Sequence, residues 1–285
     1  MDRYWQLTKP KVVAAILFTA LVGMFLATRG WPRLDLMLLA CGGIWLAAAS
    51  AAALNHVLDR RFDAAMMRTR RRPLPSGQLT ERAALAFAAA LGIASMLILA
   101  LRVNMLTAAL TLASLIGYSL IYTVWLKHAT PQNIVIGGAA GAAPPVLGWA
   151  AVTNGVGANA LLLFLIVFTW TPPHFWALAI ARRDEYLKAG IPMLPVTHGV
   201  QVTCTYILLY TILLVPVTAL PYLTGLSGPI YLSGALVLNA IFVSRAYALR
   251  TSHCPRLAMR TFRYSINYLL LLFLFLLIDH YFPAL

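Results

Sequence analysis

The chain has 285 residues, of which 61% are hydrophobic and only 11% are charged, and its formal net charge is +14. This composition excludes an ordinary soluble domain, in which roughly a quarter of the residues are charged. The positive charge alone would fit a nucleic-acid-binding protein, but its placement along the chain argues against that class.

Runs of roughly twenty apolar residues recur along the chain, and each is long enough to cross a bilayer as a helix. They predict nine transmembrane helices, at 12–28, 36–58, 83–101, 104–122, 132–152, 160–181, 202–222, 229–248 and 264–282. Run length favours helices over barrel strands, which are about half as long and alternate in polarity. We therefore expect an all-α polytopic membrane protein, with residues 1–285 forming a single intramembrane domain.

Lysine and arginine are concentrated in alternate loops between these runs. Nineteen of the 22 lie on one side if successive runs alternate in direction, and only Arg29, Arg33 and Arg102 lie on the other. The positive-inside rule then places the N-terminus in the cytoplasm and the C-terminus outside. No transit-like sequence precedes the first run, which favours a bacterial inner (plasma) membrane. The charge is thus explained by topology, and no nucleic-acid partner is expected.

Asn55, Asp59 and Asp63 stand at and just after the end of the second run. They are spaced four residues apart, in a chain with only eight acidic residues. Residues at this spacing share one face of a helix. Mg²⁺ prefers oxygen ligands and is often held by one or two carboxylates together with substrate phosphates. The pattern predicts a catalytic metal site. The alternative is a row of caps and salt bridges, with Asp59 paired to Arg60 or Arg61.

A basic segment follows these acids directly. Arg68 and Arg72 are candidate diphosphate ligands, because the planar guanidinium fork matches phosphate oxygens. Lys127, the only charged residue in its loop, is a further candidate for diphosphate binding and catalysis. The positive-inside rule by itself also explains the charge of both loops.

The fifth and sixth runs contain small residues and prolines. The stretch 137–145 (GGAAGAAPP) predicts close helix packing, and Pro144, Pro145, Pro172 and Pro173 are expected to kink the fifth and sixth helices. After the sixth run, Asp184 and Glu185 stand beside Arg182, as in the first acidic cluster. They are candidates for a second metal-binding pair with a phosphate-binding arginine, and the alternative is an ordinary charged helix end.

Three blocks of sequence resemble a known family. Asn55, Asp59, Asp63 and the segment 66–74 (MMRTRRRPL) resemble the first signature of the UbiA superfamily of intramembrane prenyltransferases. The blocks at 172–179 (PPHFWALA) and 191–196 (IPMLPV) resemble the branch that farnesylates protohaem IX. Many members of the superfamily carry a second DxxxD motif, and this chain has Asp184 and Glu185 at the matching place.

This resemblance implies nine helices around a central cavity that is open to lipid. It implies farnesyl diphosphate and haem B as substrates, with Mg²⁺ and the diphosphate held by both acidic clusters. It also implies haem or substrate contacts for His174, Tyr122 and Tyr186, the first as a candidate iron ligand. Haem-delivery or oxidase-assembly proteins are candidate partners. A prenyltransferase of a quinone precursor, or a membrane transporter with carboxylates along an ion route, remain alternative functions.

Overall fold

The computed structural model describes residues 2–67 and 69–282, apart from the side chain of His128. The regular secondary structure of these residues is helical throughout. Eight helices are long and apolar enough to cross a membrane, and a shorter apolar helix, Pro10–Leu26, coincides with the first predicted run. The prediction of an all-α polytopic membrane protein is confirmed, and the count of nine depends on this shorter helix.

The helices follow one another along the whole chain. The first seven are α1 (Asp2–Leu7), α2 (Pro10–Leu26), α3 (Leu34–Leu58), α4 (Arg60–Ala65), α5 (Glu81–Ile98), α6 (Met105–Ile116) and α7 (Lys127–Ala129). π-Helical segments extend α5 over Leu99–Val103 and α6 over Gly117–Leu126. The others are α8 (Asn133–Ala142), α9 (Pro144–Thr153), α10 (Ala158–Ala181), α11 (Arg183–Lys188), α12 (Leu194–Thr197), α13 (Gly199–Leu223), α14 (Pro229–Ser252) and α15 (Pro255–Tyr281).

Local signals in the sequence explain where several helices begin. Thr80 caps α5 by accepting a hydrogen bond from the backbone of Ala83, and Asn104 caps α6 in the same way. Proline stands at the start of α2, α14 and α15. A backbone N–H at this position has no partner within the helix, so proline, which lacks the N–H, loses no helical hydrogen bond there. In place of the kink expected in the fifth run, α8 ends at Ala142 and α9 begins at Pro144, whereas α10 continues through Pro172 and Pro173.

One compact unit contains Met1–Ala129, Ala143–Val156 and Lys188–Gly190. Within it, α2 and α9 pack so closely that a Cβ on Gly148 would lie 1.9 Å from the carbonyl oxygen of Ala20. A Cβ on Gly23 would lie 2.1 Å from the carbonyl oxygen of Pro145. Close approach through small residues is how helices associate in lipid. The buried cluster at this contact also includes α3 and consists of Ala20, Met24, Ala40, Ile44, Leu147 and Ala151.

The other unit contains Thr130–Ala142, Gly157–Leu187 and Ile191–Leu285. Here α10 packs against α8, α13 and α15, and α14 packs against α13 and α15. Polar side chains within these apolar helices satisfy one another: Asn239 donates to Thr218 at 2.7 Å and accepts from the Tyr268 hydroxyl at 2.8 Å. Such pairing is required because an unsatisfied polar group in hydrocarbon costs several kcal/mol.

Candidate active site

The N-terminal helix α1 packs against the last turns of α3 and the first turns of α5. Leu7 is fully buried in one cluster with Ala53 and Val57 of α3 and Ala84 of α5. The ring of Tyr4 also packs on Phe87, with centroids 4.9 Å apart. This anchor fixes the position of the two residues that connect α1 to α2.

The second of these connecting residues is Lys9, which has a left-handed backbone conformation with φ of 49°. Its ammonium donates to the side-chain oxygen of Asn55 at 2.5 Å. Burial, and then the nearby guanidinium of Arg72, lower the pKa of Lys9 to about 8. A lysine from the N-terminal segment therefore reaches the predicted metal-binding residues.

The predicted ridge of Asn55, Asp59 and Asp63 is present at the junction of α3 and α4. Helix α3 ends at Leu58, but the backbone N–H of Asp59 still donates to Asn55 at 2.9 Å and that of Asp63 to Asp59 at 2.8 Å. All three side chains are buried, each with 5% of its surface exposed. The Asn55 amide donates to the Asp59 carboxylate at 2.8 Å. Four-residue spacing thus places these groups along one face.

Two cations neutralise these carboxylates. The Lys127 ammonium lies 2.6 Å from Asp59, and the Arg72 guanidinium lies 2.7 Å from Asp63. Asp59 therefore pairs with Lys127 rather than with Arg60, which pairs with Glu81 at 3.1 Å. The structure brings five of the predicted residues together, namely Asn55, Asp59, Asp63, Arg72 and Lys127. Arg68 lies outside the described residues.

The π-helical segment at the end of α6 also contacts the ridge, through Asn55. The hydroxyl of Thr123 donates to the Tyr118 carbonyl at 2.9 Å, and it accepts from the Asn55 amide at 3.3 Å. The ring of Tyr122 stacks on that of Tyr118 with centroids 5.6 Å apart. π-Helical turns are frequent at functional sites because they re-aim side chains within a helix. Lys127 directly follows this segment.

The donor set in this unit fits a hard divalent cation. Oδ1 of Asp59 is buried and has no hydrogen-bond partner among the described residues, so one carboxylate oxygen is available as a ligand. No group of three or more His, Cys, Asp or Glu in the described part of the chain is arranged to hold a metal. Two carboxylates and an amide nevertheless suit Mg²⁺, which completes its shell with water and substrate phosphate.

A cavity of about 400 Å³ adjoins the ridge. Its lining combines basic, imidazole and apolar side chains, including Trp5, Lys9, Lys11, Val12, His56 and Arg72. His56 is only 2% exposed, and neither of its ring nitrogens has a hydrogen-bond partner among the described residues.

The second predicted cluster lies in the other unit. Arg182 pairs with Glu185 at 2.7 Å, in an i, i+3 arrangement. The side chain of Asp184 is exposed, and the backbone carbonyl of Tyr186 accepts from Ile191 at 3.1 Å. The assignment of Asp184 and Glu185 to a metal and of Arg182 to a diphosphate stays a prediction.

His174 is buried in α10, and hydrogen bonding fixes its tautomer. The Ser265 hydroxyl donates to the Phe262 carbonyl at 2.7 Å, so it accepts from Nδ1 of His174 at 2.6 Å. Nε2 therefore carries the free lone pair. The imidazole is stacked between Trp170 and Phe262, with centroids 4.3 and 4.6 Å away. This ring is held in one orientation, and its role as an iron ligand stays a prediction.

Sequence reasoning missed Lys9 and Thr123 as members of the first cluster. Lys9 was counted only among the positive charges before the first run, and Thr123 only follows Tyr122, a predicted substrate contact. The available signal was the Lys9-Pro10 pair directly before an apolar helix, which puts a cation at the membrane boundary. No signal in the sequence indicated the π-helical turn that places Thr123.

Comparisons with known sequences agree with the earlier resemblance. The UbiA prenyltransferase family matches residues 16–277. A protoheme IX farnesyltransferase from Methylococcus capsulatus is 62% identical over 278 residues, which are 98% of this chain and 93% of that protein. A protoheme IX farnesyltransferase from Azotobacter vinelandii is 59% identical over 280 residues, which are 98% of this chain and 94% of that protein.

Solved structures show a similar fold at low sequence identity. A digeranylgeranylglyceryl phosphate synthase superposes with a TM-score of 0.82 at 18% identity, covering 98% of both chains. A UbiA homolog from Aeropyrum pernix K1 gives 0.76 at 19% identity, covering 95% of this chain and 98% of that one. A UbiA homolog from Archaeoglobus fulgidus bound to DMAPP and Mg²⁺ gives 0.65 at 17% identity, covering 93% of this chain and 98% of that one.

Proposed function

This chain belongs to the UbiA prenyltransferase family, and we propose that it transfers the farnesyl group of farnesyl diphosphate to a vinyl group of haem B, giving haem O and diphosphate. One observation carries the proposal. The protoheme IX farnesyltransferase from Methylococcus capsulatus is 62% identical across 98% of this chain. The cluster of buried carboxylates and cations in the first unit supplies the chemistry that such a reaction requires.

The reaction has three bond-making or bond-breaking stages. Cleavage of the C1–O bond of farnesyl diphosphate leaves an allylic cation and a diphosphate. The π electrons of the vinyl group then form a bond to C1, and water adds to the resulting cation and loses a proton. Positive groups at the leaving diphosphate favour the first stage, because its negative charge grows as the bond breaks.

Lys127, Arg68 and Arg72 are proposed to bind the leaving diphosphate, with Arg182 as a further phosphate ligand. Lys127 and Arg72 are already held beside the ridge by Asp59 and Asp63. Fixed cations of this kind require little reorganisation as charge develops. Lys9 also lies beside the ridge, because its ammonium donates to Asn55.

Mg²⁺ dependence is proposed for the same step. Asn55, Asp59 and Asp63 would hold the ion, and Asp184 and Glu185 are proposed as a second pair of ligands. The buried oxygen of Asp59 that lacks a partner among the described residues supports this assignment, as does the solved UbiA homolog bound to DMAPP and Mg²⁺. The bound ion would neutralise negative charge on the departing diphosphate.

Haem B is proposed to contact His174, with Tyr122 and Tyr186 as further substrate contacts. Support comes from the geometry of His174, whose Nε2 keeps its lone pair because Nδ1 donates to Ser265. Neutral imidazole with a defined donor tautomer is the form that binds metals.

The setting of the reaction follows from the apolar helices. We propose that residues 1–285 act as one intramembrane domain, since a single family match runs over 16–277. Bacterial relatives support a bacterial inner membrane, with the N-terminus cytoplasmic and the C-terminus outside. Haem-delivery or oxidase-assembly proteins are proposed partners.

The test is product formation by membranes that contain the chain. Farnesyl diphosphate, haem B and Mg²⁺ are added, and haem O is measured by chromatography and mass spectrometry, with and without a chelator. Hydroxybenzoate and naphthoate are offered as competing acceptors. Haem O that appears only with Mg²⁺ supports the proposal. Prenylated benzoate or naphthoate without haem O would indicate a quinone-precursor enzyme, and no diphosphate release at all would indicate a transporter.

A further inference from the structure

The cavity beside the ridge has the electrostatic character of an anion site. Its charged lining residues are Lys9, Lys11 and Arg72, and no carboxylate of the described residues lines it. The two neighbouring carboxylates already have Lys127 and Arg72 as ion-pair partners, which leaves Lys9 and Lys11 in excess. An oxyanion in this cavity would reduce the repulsion among these three cations.

His56 points to the same ligand independently of the charges. Its ring is buried, it lines the cavity, and both of its nitrogens lack partners in the described part of the chain. Buried polar side chains are nearly always hydrogen-bonded, and an exception needs an explanation such as an absent ligand. A neutral imidazole has one N–H to donate. Because Lys9 and Arg72 line the same cavity, an oxyanion is the acceptor that suits this donor.

The backbone at Lys9 provides a third observation. A left-handed conformation is unfavourable for a residue other than glycine, and here it precedes proline. Strain of this kind persists only where the surrounding structure holds it, and it is concentrated at functional sites. The burial of Leu7 and the bond from Lys9 to Asn55 provide that restraint. The ammonium of Lys9 is thereby held in the lining of the cavity.

We propose that His56, Lys9, Lys11 and Arg72 form an oxyanion subsite that binds the charged end of an amphipathic substrate, with the N–H of His56 donating to it. Trp5 and Val12 supply apolar walls for the adjoining hydrocarbon. The inference rests on the proposed function for the identity of the substrates. Two groups have the required chemistry: the diphosphate of farnesyl diphosphate and a propionate of haem B.

The experiment compares His56→Leu, which removes both nitrogens at similar volume, with His56→Gln, which keeps an N–H donor. His198→Leu is the matched control, because His198 is exposed and distant in sequence from the cavity. Affinity of the purified full chain for inorganic pyrophosphate is measured directly, and KM is measured for farnesyl diphosphate, haem B and haem B dimethyl ester. Thermal unfolding is recorded for each variant without ligand.

We expect His56→Leu to weaken binding of one substrate about tenfold or more, which is the effect of losing a hydrogen bond to a charged group. His56→Gln should retain part of that affinity. Weaker binding of pyrophosphate and farnesyl diphosphate identifies the diphosphate. Weaker binding of haem B, but not of its dimethyl ester, identifies the propionate. The unfolding temperature should stay level or rise, because a buried group without a partner has been replaced by an apolar one.

Unchanged affinity of His56→Leu and His56→Gln for every ligand would overturn the inference. That result is distinct from failure of the proposed function, in which the unaltered chain itself makes no haem O. Pyrophosphate binding is measured without turnover, so the diphosphate assignment can be tested even if the chain makes no haem O.

Discussion

At the level of single residues, the two acids of the first cluster differ from ordinary surface acids in their burial and pairing. Asp59 and Asp63 are each 5% exposed and each contacts one cation directly. An exposed ion pair contributes little to stability, whereas charges fixed in a buried site are effective in binding and catalysis. Their replacement should therefore affect turnover more than folding.

We predict that Asp59→Asn and Asp63→Asn each lower kcat by about 100-fold or more, the scale expected when one preorganised electrostatic group is lost. Asparagine keeps the shape of the side chain, so the protein should still insert and elute as the unaltered chain does. Haem O formation and size-exclusion chromatography in detergent measure the two properties. Near-normal turnover in either variant would contradict the metal assignment.

Arg72 and Arg60 offer a matched pair for the diphosphate site. Arg72 contacts buried Asp63, while Arg60 contacts Glu81 in a pair that is 38% and 45% exposed. We predict that Arg72→Ala raises KM for farnesyl diphosphate about tenfold or more, because a charge-assisted hydrogen bond is lost. Arg60→Ala should leave KM unchanged. Equal effects of the two substitutions in steady-state kinetics would assign Arg72 to structure alone.

The sequence predicted mainly those parts of the site that lie close together along the chain, and Lys127, which pairs with Asp59 from 68 residues away, was indicated only as the single charge of its loop. Asn55, Asp59 and Asp63 are related by helical periodicity, and that relation survives the break after Leu58. Lys9 and Thr123 reach Asn55 from 46 and 68 residues away. Contacts at that separation depend on how helices pack, which no local pattern in a single sequence specifies.

At the level of elements, the apolar runs predicted the positions of the helices better than they predicted the residues at which the helices begin and end. The last run was expected at 264–282, but α15 covers Pro255–Tyr281. Hydropathy detects only the apolar part of a helix, which fits the hydrocarbon. The first turns of α15 contain Arg256, Arg260 and Arg263, and arginine has a high helix propensity, so the helix continues where the apolar run does not. Pro255 marks the true start.

One acid outside both predicted clusters has a structural role. Asp279, near the end of α15, is 3% exposed and accepts hydrogen bonds from the backbone of Gly228, Ile230 and Tyr231 and from the hydroxyl of Ser227. Its carboxylate therefore caps the N-terminus of α14 from a neighbouring helix. A carboxylate at this end also interacts favourably with the helix dipole.

We predict that Asp279→Ala lowers the free energy of unfolding by about 1–3 kcal/mol, because three backbone N–H groups at the start of α14 lose their acceptor. Asp279→Asn should lose less, since it keeps one oxygen. Asp35→Ala is the control: its pair with Arg33 is exposed, and its loss should leave stability unchanged. Thermal or chemical unfolding in detergent gives the comparison. A drop for Asp35→Ala as large as that for Asp279→Ala would refute the capping role.

At the level of the whole molecule, the orientation in the membrane depends on whether α2 crosses it. Seventeen residues extend over roughly 25 Å, slightly less than the hydrocarbon thickness of about 30 Å. The start of α2 lies beside the end of α3, because Lys9 contacts Asn55. Its later residue Met24 shares a buried cluster with Ala40, near the start of α3. The two helices therefore run antiparallel through the same layer, which supports a full crossing by α2.

A full crossing by α2 makes nine spans, so the chain ends should lie on opposite sides. The charge bias, with nineteen of 22 Lys and Arg on one side, predicts a cytoplasmic position for the segment around Gly77. We predict that alkaline phosphatase, which is active only outside, is inactive when fused after Gly77 and active when fused at the C-terminal end. A green fluorescent protein fused at the same two points should give the reverse pattern and controls for expression. Inactive phosphatase at the C-terminal end, together with fluorescence there, would mean that α2 does not cross and that eight helices span the membrane.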